Sequence, residues 1–312
     1  MNTLTYRIGL PIQRPITPLP LRRKVSYPKA MTIALGMLTT DGIIVAADTQ
    51  VGIENYLKNS RGKIAGCSAT TIHGDFNFSI TGAGSAADLS ALQIRLVEWF
   101  HEEISKNGDG KSIETALQSK IKEFHTEHVL PFEGMSSCPD FWLILALCFG
   151  ERKFLWYTEK NLLVPALQTA TVGAGSLYAQ ILINKLYQEV DSETGALLAA
   201  YIIHQVKAHI DSCGHDTDIF IIRSSTTRFT DRMKLRRLGD VFDGYSEVES
   251  KAFHQVIGSV VSDHLDGASI LKELDLTKKR IQDIFNRAKP PDPQSPKADL
   301  PDPQPSLESP EG

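Results

Sequence analysis

Four residues along this 312-residue chain have the types and surroundings to act together: Thr32, Asp48, Lys63 and Gly84. Thr32 follows Met31 at the head of the apolar run Ile33-Ala34-Leu35-Gly36. Asp48 closes a second run, Ile43-Ile44-Val45-Ala46-Ala47, where a plain strand seldom carries an acid. A threonine exposed at an N-terminus needs few helpers. Its hydroxyl attacks a carbonyl, and its own α-amine, with an ordinary pKa of about 8, takes the proton. A nearby lysine lowers the pKa of both groups through its charge, and an acid must hold that lysine in place. Backbone N–H groups in a glycine turn at a helix start then supply an oxyanion hole. Such a site requires no cofactor. The histidines at 101, 125, 128, 204, 209 and 215 show no HExxH or other zinc spacing, so no metal is expected.

The elements that must position these residues follow from the local pattern. Residues 32–38 and 43–47 read as strands around Thr40-Asp41-Gly42, and 50–61 as a loop or twisted hairpin. Short strands are expected at 63–68 and 77–80. Thr81-Gly82-Ala83-Gly84-Ser85 reads as a small-residue turn that opens a helix over 86–104, with Leu89, Leu92, Leu96 and Phe100 on its apolar stripe. A second helix begins at Ser112 and ends before Pro131. Residues 141–149 and 153–157 form a hairpin, and a short strand follows at 162–164. Thr171-Val172-Gly173-Ala174-Gly175-Ser176 is another glycine-rich turn, leading to helices at 178–190 and 194–210 and a closing strand at 218–223. Helices grouped in pairs between strands point to sheets covered by helix pairs, not to an alternating parallel fold.

These residues, taken in order, reach a recognisable pattern. Thr32-Ile33, the Asp41-to-Asp48 strand, Gly62-Lys63-Ile64 and Thr81-Gly82-Ala83-Gly84-Ser85-Ala86-Ala87-Asp88 resemble the proteasome β-subunit and its bacterial relatives. Val172-Gly173-Ala174-Gly175-Ser176-Leu177-Tyr178-Ala179 and Gly214 with Thr217-Asp218-Ile219-Phe220-Ile221 extend the match, which spans residues 32–223. The resemblance implies an α+β fold, a four-layer αββα sandwich of the N-terminal nucleophile (Ntn) hydrolase type. It implies a threonine endopeptidase that cleaves peptides or unfolded proteins inside a homo-oligomeric ring. Thr32 takes the nucleophile's place, Asp48 and Lys63 those of the acid and lysine, and Gly84 that of the oxyanion glycine. Gly82 falls at the floor of the pocket for the residue before the scissile bond, which is expected to be roomy. Where the family usually carries Gly-Ser-Gly, this chain has Gly173-Ala174-Gly175, so supporting roles fall to Ser176, Asp211 and Ser212. The rival readings are a non-catalytic ring subunit with the same sandwich and an Ntn amidohydrolase acting on small amides.

Residues 1–31 contain Arg7, Arg14, Arg22, Arg23, Lys24 and Lys29, no acid, and four prolines from Pro11 to Pro20, which reads as a disordered leader. A second reading starts translation at Met31, whose removal before a small residue would expose Thr32. The domain then runs over 32–225, a helical extension over 226–287, and a proline- and acid-rich disordered tail over 288–312. Hydrophobic content of 42% and charged content of 22% fit an ordinary soluble domain. A net charge of −4 offers no field for nucleic acid or an anionic membrane, and no apolar run reaches the roughly 20 residues of a membrane span. Cys67, Cys138, Cys148 and Cys213 form no CxxC pair, which suits reduced thiols in the cytoplasm.

Overall fold

The computed structural model describes residues 32–53, 57–60, 62–71, 74–104, 110–135, 138–261, 276 and 279. The expected leader and tail therefore lie outside the described residues. Two five-stranded antiparallel sheets form the centre. The first contains β1 (Ile33–Leu38), β2 (Ile43–Asp48), β10 (Thr169–Gly173), β11 (Thr217–Ile222) and β12 (Thr227–Phe229), in the order β10-β1-β2-β11-β12. The second contains β5 (Ala65–Thr71), β6 (Gly74–Gly84), β7 (Phe141–Phe149), β8 (Arg152–Glu159) and β9 (Leu162–Pro165), in sequence order. A two-stranded ribbon, β3 (Gln50–Ile53) with β4 (Leu57–Ser60), completes the strands.

Strand alternation divides the core into three. Ala34, Val45 and Ala47 face Ile144, Ala146 and Leu155 between the sheets. On the other face of the first sheet, Ile33, Leu35, Met37, Ile44 and Ala46 pack against α3 (Ser176–Leu186) and α4 (Ser192–His209). On the outer face of the second, Phe76, Phe78, Ile80 and Leu145 meet Leu89, Leu92, Leu96 and Phe100 of α1 (Ala86–Ile104). Ile113, Leu117, Ile121 and Phe124 of α2 (Gly110–His128) join the same cluster. The layers thus run helix pair, sheet, sheet, helix pair. Small residues on the inner faces allow the sheets to approach: a Cβ on Gly36 would overlap Leu155 and Ile144.

Several elements differ from the sequence reading. Residues 81–84 are not a turn but the end of β6, paired with Ile144, Leu143, Trp142 and Phe141. Glycines weaken strand propensity, yet close approach of β7 requires them: a Cβ on Gly82 would overlap the Trp142 carbonyl oxygen. The third helix stops at Leu186, four residues early, because Tyr187 turns extended and its hydroxyl donates to the Leu38 carbonyl at 2.8 Å. Strand β12 has no counterpart in the sequence reading.

Within the helical extension expected over 226–287, whose best local signals lie at 251–261 and 269–285, the helix begins well before the first signal and ends with it, and nearly all of the second lies outside the described residues. It is α5 (Arg232–Val261), a single 30-residue helix. Asp231 accepts from the Met233 N–H at 2.8 Å at its start, and Phe242 and Tyr245 stack edge-on against Tyr201 of α4. Arg236 donates twice to Asp216 at 2.8 Å, and this bond holds the Asp216 carboxyl below its ordinary value against the opposing effect of burial. A depressed carboxylate contributes stability above its unfolded pKa and loses it as pH falls through the folded value. The first turns of α5 are therefore expected to loosen from β11 as pH drops below 3.8. Amide protection in α5, followed by NMR from neutral to acid pH, would reveal this; protection unchanged to below that value would refute it.

Candidate active site

Antiparallel pairing of β1 and β2 brings the head of the first strand beside the end of the second, with Ala34 opposite Ala47. Thr32 and Asp48 thereby become neighbours although 16 residues separate them. Asp48 shares strand parity with the buried Ile44 and Ala46 and has no exposed surface, so its carboxylate must be satisfied internally. Oδ1 accepts from the Thr32 hydroxyl, from the Ile33 N–H at 3.1 Å and from Lys63 Nζ at 2.7 Å. Oδ2 accepts from the Gly214 N–H at 2.9 Å. Lys63 Nζ also donates to Thr32 Oγ1. Thr32 is 3% and Lys63 8% exposed, so the three groups form a closed, nearly dry cluster.

Lys63 lies between β4 and β5, and its main chain is fastened from two sides. Its carbonyl accepts from Thr81 Oγ1 at 3.1 Å and from Gln93 Nε2 at 2.7 Å. Gln93 is the residue the sequence reading missed. Its signal was a polar side chain at i+4 from Leu89, on the apolar stripe of α1, where only a satisfied amide is tolerated. Burial lowers the Lys63 pKa from its ordinary value, while Asp48 pulls it back up.

The carbonyl side of Thr32 is lined by glycines. The Gly175 N–H donates weakly to the Thr32 carbonyl at 3.4 Å. Gly173 has φ +99°, and a Cβ there would overlap the same carbonyl oxygen and lie 3.0 Å from Ala83 Cβ. Gly84, next to Ala83, has φ +134° at the β6–α1 junction, where Ser85 N–H donates to the Asp140 carbonyl at 3.1 Å.

On the Cβ side of Gly82 lie the Trp142 carbonyl, Leu89 and Leu143. Ser176 opens α3 and offers its carbonyl to Thr171 Oγ1 at 3.3 Å. Asp211 is exposed, and the Ser212 side chain bonds Cys213. From that segment it is Cys213 and Gly214 that adjoin the cluster, because the turn after α4 points their atoms inward. Cys213 is 4% exposed, and burial together with the Asp48 charge pushes its thiol up to about 12, so it stays neutral. Among the described residues no group of three or more His, Cys, Asp or Glu is arranged to hold a metal ion.

Fold and cluster together define a two-sheet, helix-covered α+β domain with a buried Thr–Asp–Lys triad at one end of the first sheet. No family model and no curated protein matches the chain. Solved structures do. Anbu from Hyphomicrobium sp. strain MC1, as its Gly-1 mutant, aligns with a TM-score of 0.58 at 16% identity over 71% of this chain and 96% of that one. Anbu from Yersinia bercovieri, described as an ancestral beta-subunit, aligns at 0.56 and 13% over 72% and 97%. The expected kinship with the proteasome β-subunit is thereby corrected: these neighbours are proteasome-like but distinct, and identities of 13–16% show a shared fold alone. None of the described helices is long and apolar enough to cross a membrane.

Proposed function

We propose that this protein is a threonine-type peptidase of the Ntn-hydrolase class, with Thr32 as nucleophile. What carries the reading is one carboxylate oxygen, Asp48 Oδ1, holding the Thr32 hydroxyl and the Lys63 ammonium together while both are almost fully buried. A buried charge pair costs desolvation energy that apolar side chains would avoid, so its presence against a hydroxyl calls for a chemical use.

Once the chain ahead of Thr32 is removed, Oγ1 attacks the substrate carbonyl and its proton passes to the Thr32 α-amine. Lys63 Nζ beside Oγ1 stabilises the developing negative charge, and Asp48 keeps both in line. The backbone N–H at Gly84 is proposed to receive the oxyanion. The C–N bond breaks as the leaving amine takes the proton, leaving an ester on Thr32 that water hydrolyses. Substrates are peptides or unfolded proteins, and the active form is a homo-oligomer. The four free thiols suit the reducing cytoplasm.

A second reading, a non-catalytic subunit, is favoured by Ala174, which brings no hydroxyl to the Gly173–Gly175 turn, and by the neutral thiol at Cys213. N-terminal sequencing with covalent labelling by an electrophile directed at N-terminal threonine separates the two. The peptidase is expected to begin at Thr32, to be labelled there, and to lose all labelling and turnover of fluorogenic peptides in Thr32→Ala with its circular dichroism unchanged. Turnover by protein that still carries residues 1–31 would exclude this mechanism.

A further inference from the structure

The start of α5 reaches the back of the Lys63 segment. Arg232 donates through Nε to Asp218 Oδ1 at 2.5 Å and through a terminal nitrogen to Oδ2 at 2.7 Å, a two-pronged pair. Asp218 sits in β11 opposite Ala47, one position from the Thr217–Asp48 pairing, and is only 5% exposed. Gly62, the residue before Lys63, lies against this pair. A Cβ on Gly62 would stand 3.3 Å from Asp218 Oδ2 and 3.8 Å from the Arg232 guanidinium. A second carboxylate therefore lies near the lysine, and the guanidinium that occupies both its oxygens comes from α5.

We propose that Arg232 is a positioning residue for Lys63: by clamping Asp218 against Gly62 it fixes the segment that carries the lysine and partly offsets the carboxylate charge near it. The consequence for catalysis rests on the proposed threonine-hydrolase reading; the consequence for Lys63 does not.

The groups facing Lys63 from each packed element make the sign definite. β2 supplies Asp48, β11 supplies Asp218, the turn after α4 supplies the neutral Cys213 thiol, and α1 supplies the uncharged Gln93. Farther out, Lys207 of α4 faces Asp48 and donates to Thr217 Oγ1 at 2.8 Å, and Arg236 of α5 pairs with Asp216. Asp48 is already shared among four donors. Asp218 already favours the protonated form of Lys63, and without the Arg232 guanidinium on its oxygens it would do so more strongly. Burial of Lys63 works in the opposite sense, and the Arg232 clamp preserves that effect.

Lysine labelled with 13C at Cε, titrated by NMR in the full chain with the Lys63 resonance assigned through Lys63→Arg, reads this directly. Arg232→Gln is expected to move the Lys63 midpoint up by about one pH unit, roughly tenfold in the deprotonated fraction at fixed pH. Asp218→Asn is expected to move it down, and the double variant Asp218→Asn/Arg232→Gln to return it near the starting value. That return separates partial charge offset from simple loss of a staple, and it keeps the test decisive if Arg232→Gln alone folds poorly. A Lys63 midpoint that does not move in Arg232→Gln, or that the double variant fails to restore, overturns the proposal. In the same variants the pH–rate profile of peptide hydrolysis should move in parallel with the midpoint. A parent protein with no turnover would sink the hydrolase reading, while the NMR titration would still decide the role of Arg232.

Discussion

Asp48→Ala should destabilise the domain by about 3–5 kcal/mol and lose more stability than Lys63→Met, although both substitutions break the same ion pair. The asymmetry follows from what each change strands. Without Asp48, the Lys63 ammonium stays buried with no counter-charge, and the N–H groups of Ile33 and Gly214 lose their acceptor together with the Thr32 hydroxyl. Without Lys63, the carboxylate keeps those three donors, which together can hold a buried anion. Lys63→Met is accordingly expected to cost about 1–3 kcal/mol. Denaturant midpoints at constant slope would measure both. Equal losses, or the reverse order, would show that the backbone donors do not sustain Asp48. In the proposed reaction both variants lose turnover by about 10²–10⁴-fold, so activity alone would not separate the two residues.

Gly173→Ala should cost about 1–3 kcal/mol and lower turnover by about a hundredfold, although Gly173 donates no group to the chemistry. Two independent constraints meet there. Its φ of +99° is one that L side chains rarely adopt, and the new methyl would run into the Thr32 carbonyl oxygen on one side and Ala83 on the other. Because Gly173 is paired with Ile33, strain relief must shift the head of β1, and Thr32 moves with it. Gly150→Ala is the control. It also has a positive φ, +54°, but nothing lies within 4 Å of its Cβ position, so it should lose about 1 kcal/mol and no turnover. Thermal midpoints together with kcat of the two variants would check this, and full activity in Gly173→Ala would show that Thr32 does not depend on the β10 register.

Much of the architecture was legible because it is written in short-range periodicity. Leu89, Leu92, Leu96 and Phe100 announce α1 with its buried face, and the limits read from sequence agree with Ala86–Ile104. The Phe141–Phe149 strand and its hairpin partner are equally plain, since an apolar run bounded by Gly150 has few alternatives. The reading erred where a tertiary contact overrode local preference. Glycines at 82 and 84 signal a turn, yet β7 passes so close that only glycine fits, and the strand continues. Tyr187 could extend α3, but its hydroxyl is drawn to the Leu38 carbonyl.

Composition and pattern by themselves determined most element types, the pairing of helices on separate sheets, and the oddity of an acid, Asp48, at the end of an apolar run. Hydrophobic burial sets these, and the amphipathic period of each segment records it. Only the folded chain decided which groups touch. The order β10-β1-β2-β11-β12 joins strands more than a hundred residues apart, and through it Gly214 reaches Asp48 and Gly173 confines Thr32, while Arg232 of α5 closes on Asp218. Gln93 gains its meaning in the same way, as the amide that grips the Lys63 carbonyl. Hydrogen bonds and ion pairs act over a few ångströms and carry no period along the sequence, so their partners emerge only when packing brings distant segments together.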